Sequence, residues 1–425
     1  MEIITVLPGD TVNEIALRYG LNSEKIISDN GLDDTGSLVP GQSLILLFPD
    51  QEYIVSDENQ TVNDVAFFSG INNKILFRNN FFLGGQNNLN TGDILVLSYQ
   101  SQPISQKIIG GYAYDSISQQ LLESVISYMT YLMPFTYGFT STGELVPPDD
   151  QRLIDTALAF GAKPLLHLST LTEEGNFSNE LANQLLSNQT AIETLYDNIL
   201  SVVAQKGYYG VDVDFEFLFA QDRDRYTAFI AGLTERLNAE GLISVVALPP
   251  KTSDDQPGLL YEGIDYAGLG NAANYGFLMT YEWGYRFGPP LAVAPINSVR
   301  NVVEYAVSRI PNEKLLLGIS NYGYDWILPF VRGESEAISI STVHALEIAI
   351  EYNAEILFDE VAQSPYFYYT DSLGNEHVVW FEDARSYNAK VALINEYNLA
   401  GGFIWDLMRR NPQGFVTLNS LIDIF

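Results

Sequence analysis

No cysteine occurs among the 425 residues, which excludes disulfides, thiolate nucleophiles and Cys-ligated metals and leaves the redox compartment open. Histidine is scarce as well. His167, His344 and His377 are the three, and their separations form no zinc-type spacing. Positive charge is in short supply, with 21 basic against 53 acidic residues and a formal net charge of -32. Such a polyanion repels nucleic acid and anionic membrane surfaces, so neither is expected as a partner. No run reaches the roughly 18 apolar residues of a membrane span. Met1-Glu2-Ile3-Ile4-Thr5 leads straight into a patterned region, without a basic start or a cleavable apolar core. What remains fits a neutral, hydroxyl-rich ligand, for which 26 Tyr and 23 Phe offer stacking surfaces. The length calls for two or more domains.

Against that background the stretch Tyr208-Tyr209-Gly210-Val211-Asp212-Val213-Asp214-Phe215-Glu216-Phe217 stands apart. Side chains alternate along a strand, so Asp212, Asp214 and Glu216 would share one face and Val211, Val213, Phe215 and Phe217 the other. Alternate carboxylates then lie roughly 6 to 7 Å apart, near enough to share protons. Three acids beside apolar neighbours must be hydrated, paired, metal-bound or protonated, so the row costs stability and points to chemistry. Calcium binding is one reading, but Phe217 stands where an EF-hand needs Gly and the segment is strongly β-forming. No metal and no cofactor is expected.

The first hundred residues carry an internal repeat of about fifty. In copy one Ile4-Thr5-Val6 leads to Pro8-Gly9-Asp10-Thr11-Val12, then Asn30, and closes on Pro40-Gly41-Gln42-Ser43-Leu44. Copy two answers with Tyr53-Ile54-Val55, Gln60-Thr61-Val62, Asn79-Asn80 and Thr91-Gly92-Asp93-Ile94. Each reads strand, helix, helix, strand. Thr11 or Asp10 caps a helix whose apolar positions Val12, Ile15 and Ala16 are three or four apart, and Gly20 and Gly70 are helix stops.

After a short polar linker at 98–106, eight strand-like runs alternate with amphipathic helical segments: 107–114, 131–139, 163–169, 209–218, 243–249, 276–281, 314–320 and 402–405. The alternation predicts an α/β fold, a (β/α)8 TIM barrel behind two small βααβ modules. A doubly wound sheet is the rival, disfavoured because no Gly-rich phosphate-binding turn is present. The expected division is 1–49, 50–99 and 107–425. A long excursion at about 321–383 holds a helix and a hairpin turning at Asp371–Gly374. Functional groups of such barrels gather at the C-terminal strand ends. Glu216 would be nearest the mouth, with Asp214 and Asp212 successively deeper, and crowding would keep one carboxyl protonated near neutrality. Tyr137 is a candidate border of the cleft, whereas His167 reads as a core histidine.

The repeat resembles LysM, a small module that binds N-acetylglucosamine-containing glycans such as peptidoglycan and chitin. Copy one carries the likeness in its Pro8-Gly9-Asp10-Thr11 opening and Pro40-Gly41-Gln42 closing. Copy two is more divergent, with Asp57-Glu58-Asn59-Gln60 at the opening and Gly84-Gly85-Gln86 in a lengthened loop. The resemblance implies a glycan groove between Gly9, Asp10, Thr11 and Val12 on one side and the 30–38 loop, with Asn30, on the other. A purely structural spacer is the alternative.

The acidic row resembles glycoside hydrolase family 18, whose strand-four signature is matched by Gly210, Asp212, Asp214 and Glu216, with Tyr209 in place of the leading Asp. Met279-Thr280-Tyr281-Glu282-Trp283 is similar to the strand-six segment, Glu282 replacing Asp. Residues 318–326 are similar to strand seven, and Gly401-Gly402-Phe403-Ile404-Trp405-Asp406-Leu407 to strand eight. The resemblance implies retaining, substrate-assisted hydrolysis. Glu216 would be the acid/base, Asp214 would orient the substrate's 2-acetamido group with support from Asp212, and Tyr281 would hydrogen-bond its carbonyl. Trp405 would stack beneath the reacting ring, with Met279, Glu282, Asn321, Tyr322 and Asp325 as further contacts. Two glycan modules ahead of such a barrel look like the spore-cortex-lytic branch. That implies peptidoglycan as partner, the spore coat or cortex surface as location, and a monomer. A chitinase, or a catalytically impaired glycan-binding protein, is the alternative.

Overall fold

In the computed structural model, which describes residues 1–425 apart from Asp34, Glu58 and Glu173, parallel strands form a nearly closed barrel. Asp34 of the 30–38 loop and Glu58 of the second repeat's opening therefore lie outside the described residues. The barrel runs through Ser105–Tyr114, Tyr131–Phe135, Lys163–Pro164 with Leu166–Ser169, Gly210–Asp214, Ile243–Leu248, Tyr275–Leu278, Leu315–Ser320 and Gly401–Trp405. Its third strand is broken. Tyr131 and Leu132 pair with Lys163 and Pro164, while Leu166–Ser169 pairs with 211–214 of the fourth strand. Pro164 has no N–H to give, yet both neighbours persist across the break: its carbonyl accepts the Tyr209 N–H, and Leu165 N–H donates to the Leu132 carbonyl.

Parity sorts the side chains. Val211, Val213, Val246, Leu248, Leu317 and Ile319 face outward into the main core under the helices. Tyr112, Met133, Val245, Phe277, Leu316 and Phe403 fill the barrel interior, each such burial stabilising by about 1.5–3 kcal/mol. Asp212 and Asp214 share the inward parity. Gly210 is required by close approach, since a Cβ there would sit 2.2 Å from the Ile243 carbonyl oxygen of the fifth strand.

Several strands are shorter than the sequence predicts, the sixth ending at Leu278 rather than 281. The second ends at Phe135, and Gly138–Phe139 instead pairs with Leu145–Val146 in a separate ribbon. The fourth ends at Asp214 rather than 218. At Phe217 the chain turns through φ 55, so this side chain, expected on the apolar face, is 47% exposed. Helices Asn179–Leu186 and Pro412–Leu421 were not anticipated from sequence. The excursion after strand seven folds into a five-stranded antiparallel sheet with helix Thr342–Glu351, and its hairpin turns at Asp371–Gly374 as predicted.

At the N-terminus, Glu2–Thr5 pairs with Ser43–Leu46 and Pro49–Ile54 with Ile94–Tyr99, each pair holding two short helices. Thr11 and Thr61 cap the first helix of each copy by accepting from the Glu14 and Asp64 N–H groups. Asn22 and Asn72 cap the second. Both copies dock on the barrel region. The Lys74 ammonium donates to the Met129 and Gly161 carbonyls. Gln413 of the last helix donates to Asn30 and to the Ser43 carbonyl. Ile356 N–H donates to the Pro40 carbonyl at 2.9 Å, and Gly41 (φ +81) lies so close that a Cβ would meet the Ile356 oxygen at 1.8 Å.

Candidate active site

The barrel mouth is built by short strands delivering polar groups into a cavity whose walls are apolar. Asp212, on the fourth strand, is fully buried. Its Oδ2 accepts the Tyr112 hydroxyl at 2.8 Å and lies 2.8 Å from His167 Nδ1. His167 and Asp212 are register partners on adjacent strands, so pairing was set by strand register rather than by any local motif. Asp214 closes the strand, and its Oδ1 is buried without a hydrogen-bond partner among the described residues. Burial, then the charges of Glu216 and Asp212, hold the Asp214 carboxyl well above the ordinary carboxylate range. Burial and the Glu282 carboxylate push Glu216 up as well. Burial also raises Glu282, against the hydroxyls of Tyr322 and Tyr324 that donate to it.

Asp214 and Glu216 line a cleft of about 300 Å³ with Thr170, Phe177, Ser178, Asn179, Phe217 and Leu259. The apolar rim is open, Phe177 being 62% exposed and Leu259 46%. Trp405 packs edge-on to Tyr112 and Phe135, with ring centroids 5.4 and 5.1 Å away. Tyr281 joins the clusters that hold both Phe277 and Trp405. Its phenol is held protonated by burial and by the four surrounding acids, Asp214 foremost. Met279 is buried in the same floor.

The arrangement offers carboxyls that hold their protons more tightly than exposed ones, a buried carboxyl pair and an aromatic floor, which is the equipment of acid-assisted bond cleavage at a sugar. The sequence pattern of glycosyl hydrolases family 18 matches residues 158–409. The chain belongs to glycosyl hydrolases family 18.

A LysM domain pattern matches residues 4–46. The family 18 chain is 35% identical to a cortical fragment-lytic enzyme of Bacillus subtilis over 100% of this chain and 99% of that protein. It is equally 35% identical to a putative sporulation-specific glycosylase of the same organism over 96% of this chain and 95% of that one. The solved spore cortex-lytic enzyme SleL of Bacillus megaterium matches with a TM-score of 0.84 at 35% identity, covering 100% of this chain and 98% of that one.

Several expected site residues of this family 18 hydrolase sit elsewhere. Tyr137 is fully buried and donates to Asp150 at 2.6 Å, beside Tyr208 and Lys206, outside the cleft. Asn321 is buried, its amide spent on the Asp406 and Arg409 carbonyls and its oxygen on Asn411 and Tyr387. Asp325 accepts Tyr369 at 2.7 Å and pairs with His377 inside the excursion. Tyr322 is buried, donates to Glu282 and shares an apolar cluster with Tyr281 and Trp405. In the first repeat, Val12 is core and Asn30 is a buried pin. The Asn30 amide donates to the Ile26 and Ile45 carbonyls, and its oxygen accepts the Ile45 N–H and Gln413. Gly9 and Thr11 remain exposed, while Asp10 is held by the Leu7 N–H and Arg18. Phe177, Leu259 and the outward-turned Phe217 were missed as cleft residues. Alternation put Phe217 on the apolar face, nothing in the sequence singled out Phe177 or Leu259, and only the loop geometry places all three at the rim.

Proposed function

We propose that the chain cleaves β-1,4 N-acetylglucosaminyl bonds of peptidoglycan, with spore cortex fragments as substrate, at the spore coat or cortex surface. The reaction class follows from family membership. The meeting of Asp214 and Glu216 on one cleft carries the residue assignment. Glu216, holding its proton to higher pH than an exposed glutamate, donates it to the leaving oxygen while the substrate's acetamido carbonyl attacks the anomeric carbon. Asp214 orients that acetamido group and stabilises the positive charge of the oxazolinium, with Asp212 behind it. Tyr281 donates to the acetamido oxygen, and Trp405 closes the floor against water. Glu216 then takes a proton from the incoming water, and the anomeric configuration is retained.

The names of the Bacillus relatives support cortical peptidoglycan over chitin. The division into 1–49, 50–99 and 107–425 belongs to the same reading. The second repeat is assigned as a diverged LysM module because Asn80 repeats the Asn30 pin, donating to the Leu76 and Val96 carbonyls and accepting the Val96 N–H. Gly9 and Thr11 are the glycan-facing candidates of the first.

Product analysis on reduced muropeptides, chitin oligomers and their de-N-acetylated counterparts tests the reading. Cleavage of muropeptides, weaker turnover of chitin oligomers and none of the de-acetylated polymer are expected. Binding without turnover at any pH would leave only a glycan-binding protein, and equal cleavage of de-acetylated substrate would remove the acetamido group from the mechanism.

A further inference from the structure

Lys251 follows the fifth strand, Ile243–Leu248, and is 1% exposed. A lysine buried this deeply ordinarily pairs with a carboxylate. This one is spent on main chain: Nζ donates to the carbonyls of Asp254, Tyr261 and Ile264 at 3.2, 3.3 and 3.0 Å. Those bonds use every proton that the ammonium carries. The Lys251 N–H is fixed too, donating to the Pro249 carbonyl and to the Tyr266 hydroxyl. Lys251 is thus the centre of a segment, 251–264, that contains neither strand nor helix. Its own turn bonds are local, from the Tyr261 and Glu262 N–H groups to the Gly258 carbonyl and from the Ile264 N–H to the Tyr261 carbonyl. The ammonium joins that turn to the start of the loop.

The loop reaches the cleft. Leu259, flanked in sequence by the first two acceptors, is exposed and lines the cavity with Asp214, Glu216, Phe177 and Phe217. Further on, a Cβ at Gly263 would lie 2.5 Å from the Leu218 carbonyl oxygen, so the returning limb runs against the segment that carries Glu216. Ile264 and Leu218 are buried in the same core, which anchors the end of the loop. Resting on the hydrolase reading above, we propose that Lys251 is a positioning residue for substrate binding: its ammonium staples the 251–264 loop so that Leu259 stands on the rim with Phe177 and Phe217, against the apolar face of a bound sugar. Without the ammonium, three carbonyls lose their buried donor, and they regain hydrogen bonds by opening the loop to water. Opening carries Leu259 off the rim. Asp214 and Glu216 stay with the fourth strand and its extension and Tyr281 beyond the sixth, so the effect falls on binding and not on proton transfer.

The test uses the full chain and a soluble N-acetylglucosamine oligomer. Lys251→Met keeps the length of the side chain and removes its donors. It should raise KM about 10-fold with kcat within about threefold, and Leu259→Ala should do the same. Both act through one contact, so the double variant should exceed the larger single effect by no more than about twofold. Two effects that multiply, or an unmoved KM in Lys251→Met even with a lowered Tm, overturn the proposal. If Lys251→Met fails to fold, Leu259→Ala decides at an exposed position, where an unmoved KM is equally fatal. Hydrogen exchange reads the staple without turnover. The Tyr261, Glu262 and Ile264 amides should exchange about 10-fold faster or more in Lys251→Met than in wild type, and unchanged protection overturns the staple. Wild-type protein that cleaves nothing would sink the hydrolase reading, and the exchange rates would then judge the staple by themselves.

Discussion

Asn30 and Asn80 of the N-terminal repeats and the acids of the barrel mouth are buried polar side chains with opposite hydrogen-bond accounts. Asn30 and Asn80 have their amide and carbonyl capacity taken up by backbone groups of a closing strand. Asp212, Asp214 and His167 each keep one buried atom without a partner among the described residues. A buried polar group left unpaired costs about 1–3 kcal/mol, and a domain as well packed as this one retains such a cost where a ligand or a proton completes the set. Gln42 Nε2 and Arg78 Nε of the repeats are also without a partner among the described residues, so vacancy points to chemistry where, as at Asp214, it lies on a cleft shared with a second acid. From sequence alone Asn30 and Asp214 look alike, as polar residues at conspicuous positions.

The sharpest way to break this contrast is to alter each class in turn. Glu216→Gln should fold, bind glycan and lose about 10²- to 10⁴-fold in kcat; undiminished turnover would show the proton donor lies elsewhere. Asn30→Ala should leave kcat on a soluble oligomer unchanged but lower stability by about 2–3 kcal/mol, read as a shift in Tm, because the Ile45 N–H and Gln413 lose their acceptor. A kcat change without a Tm change would return Asn30 to the functional class.

Asp214→Asn probes the cost of the vacancy itself. Because burial raises its pKa above the unfolded value, the native state binds more protons than the unfolded chain between the two pKa values. Stability associated with this group is full below the unfolded carboxylate pKa, about 4, and is lost as pH rises through the raised value. The variant should thus melt above wild type at pH 7 and show no advantage near pH 3, while losing activity. A melting profile parallel to wild type across that range would contradict the burial argument. The smallest effect is expected from Tyr137→Phe, which removes one hydrogen bond to Asp150 and should cost about 1 kcal/mol with KM and kcat intact. A raised KM would restore Tyr137 to the cleft.

Much of the barrel was legible in the chain because burying the outer face of each parallel strand against a helix demands β-branched and aliphatic runs, and those are visible as periodicity. The helix ends at Thr11, Gly20 and Gly70 were legible for a similar reason, since each satisfies its orphan groups locally. Strand ends were harder to read. Phe215 and Phe217 look equivalent by alternation, yet one is core and the other turns outward at a positive φ. Tyr137, Asn321 and Asp325 were placed at the mouth by their distance from strand ends. Their partners Asp150, Asn411 and His377 come from elements 13 to 90 residues away, a separation over which pattern carries no information.

The sequence by itself determined the acid row, its parity and the βααβ repeats, since periods of two and of three to four residues are set by backbone geometry within a single element. Tertiary structure decided which polar groups are spent and which are spare. Hydrogen-bond accounting is a property of elements brought together: His167 reaches Asp212 through strand register, Gln413 reaches Asn30 through the docking of the last helix, and no local rule encodes either meeting.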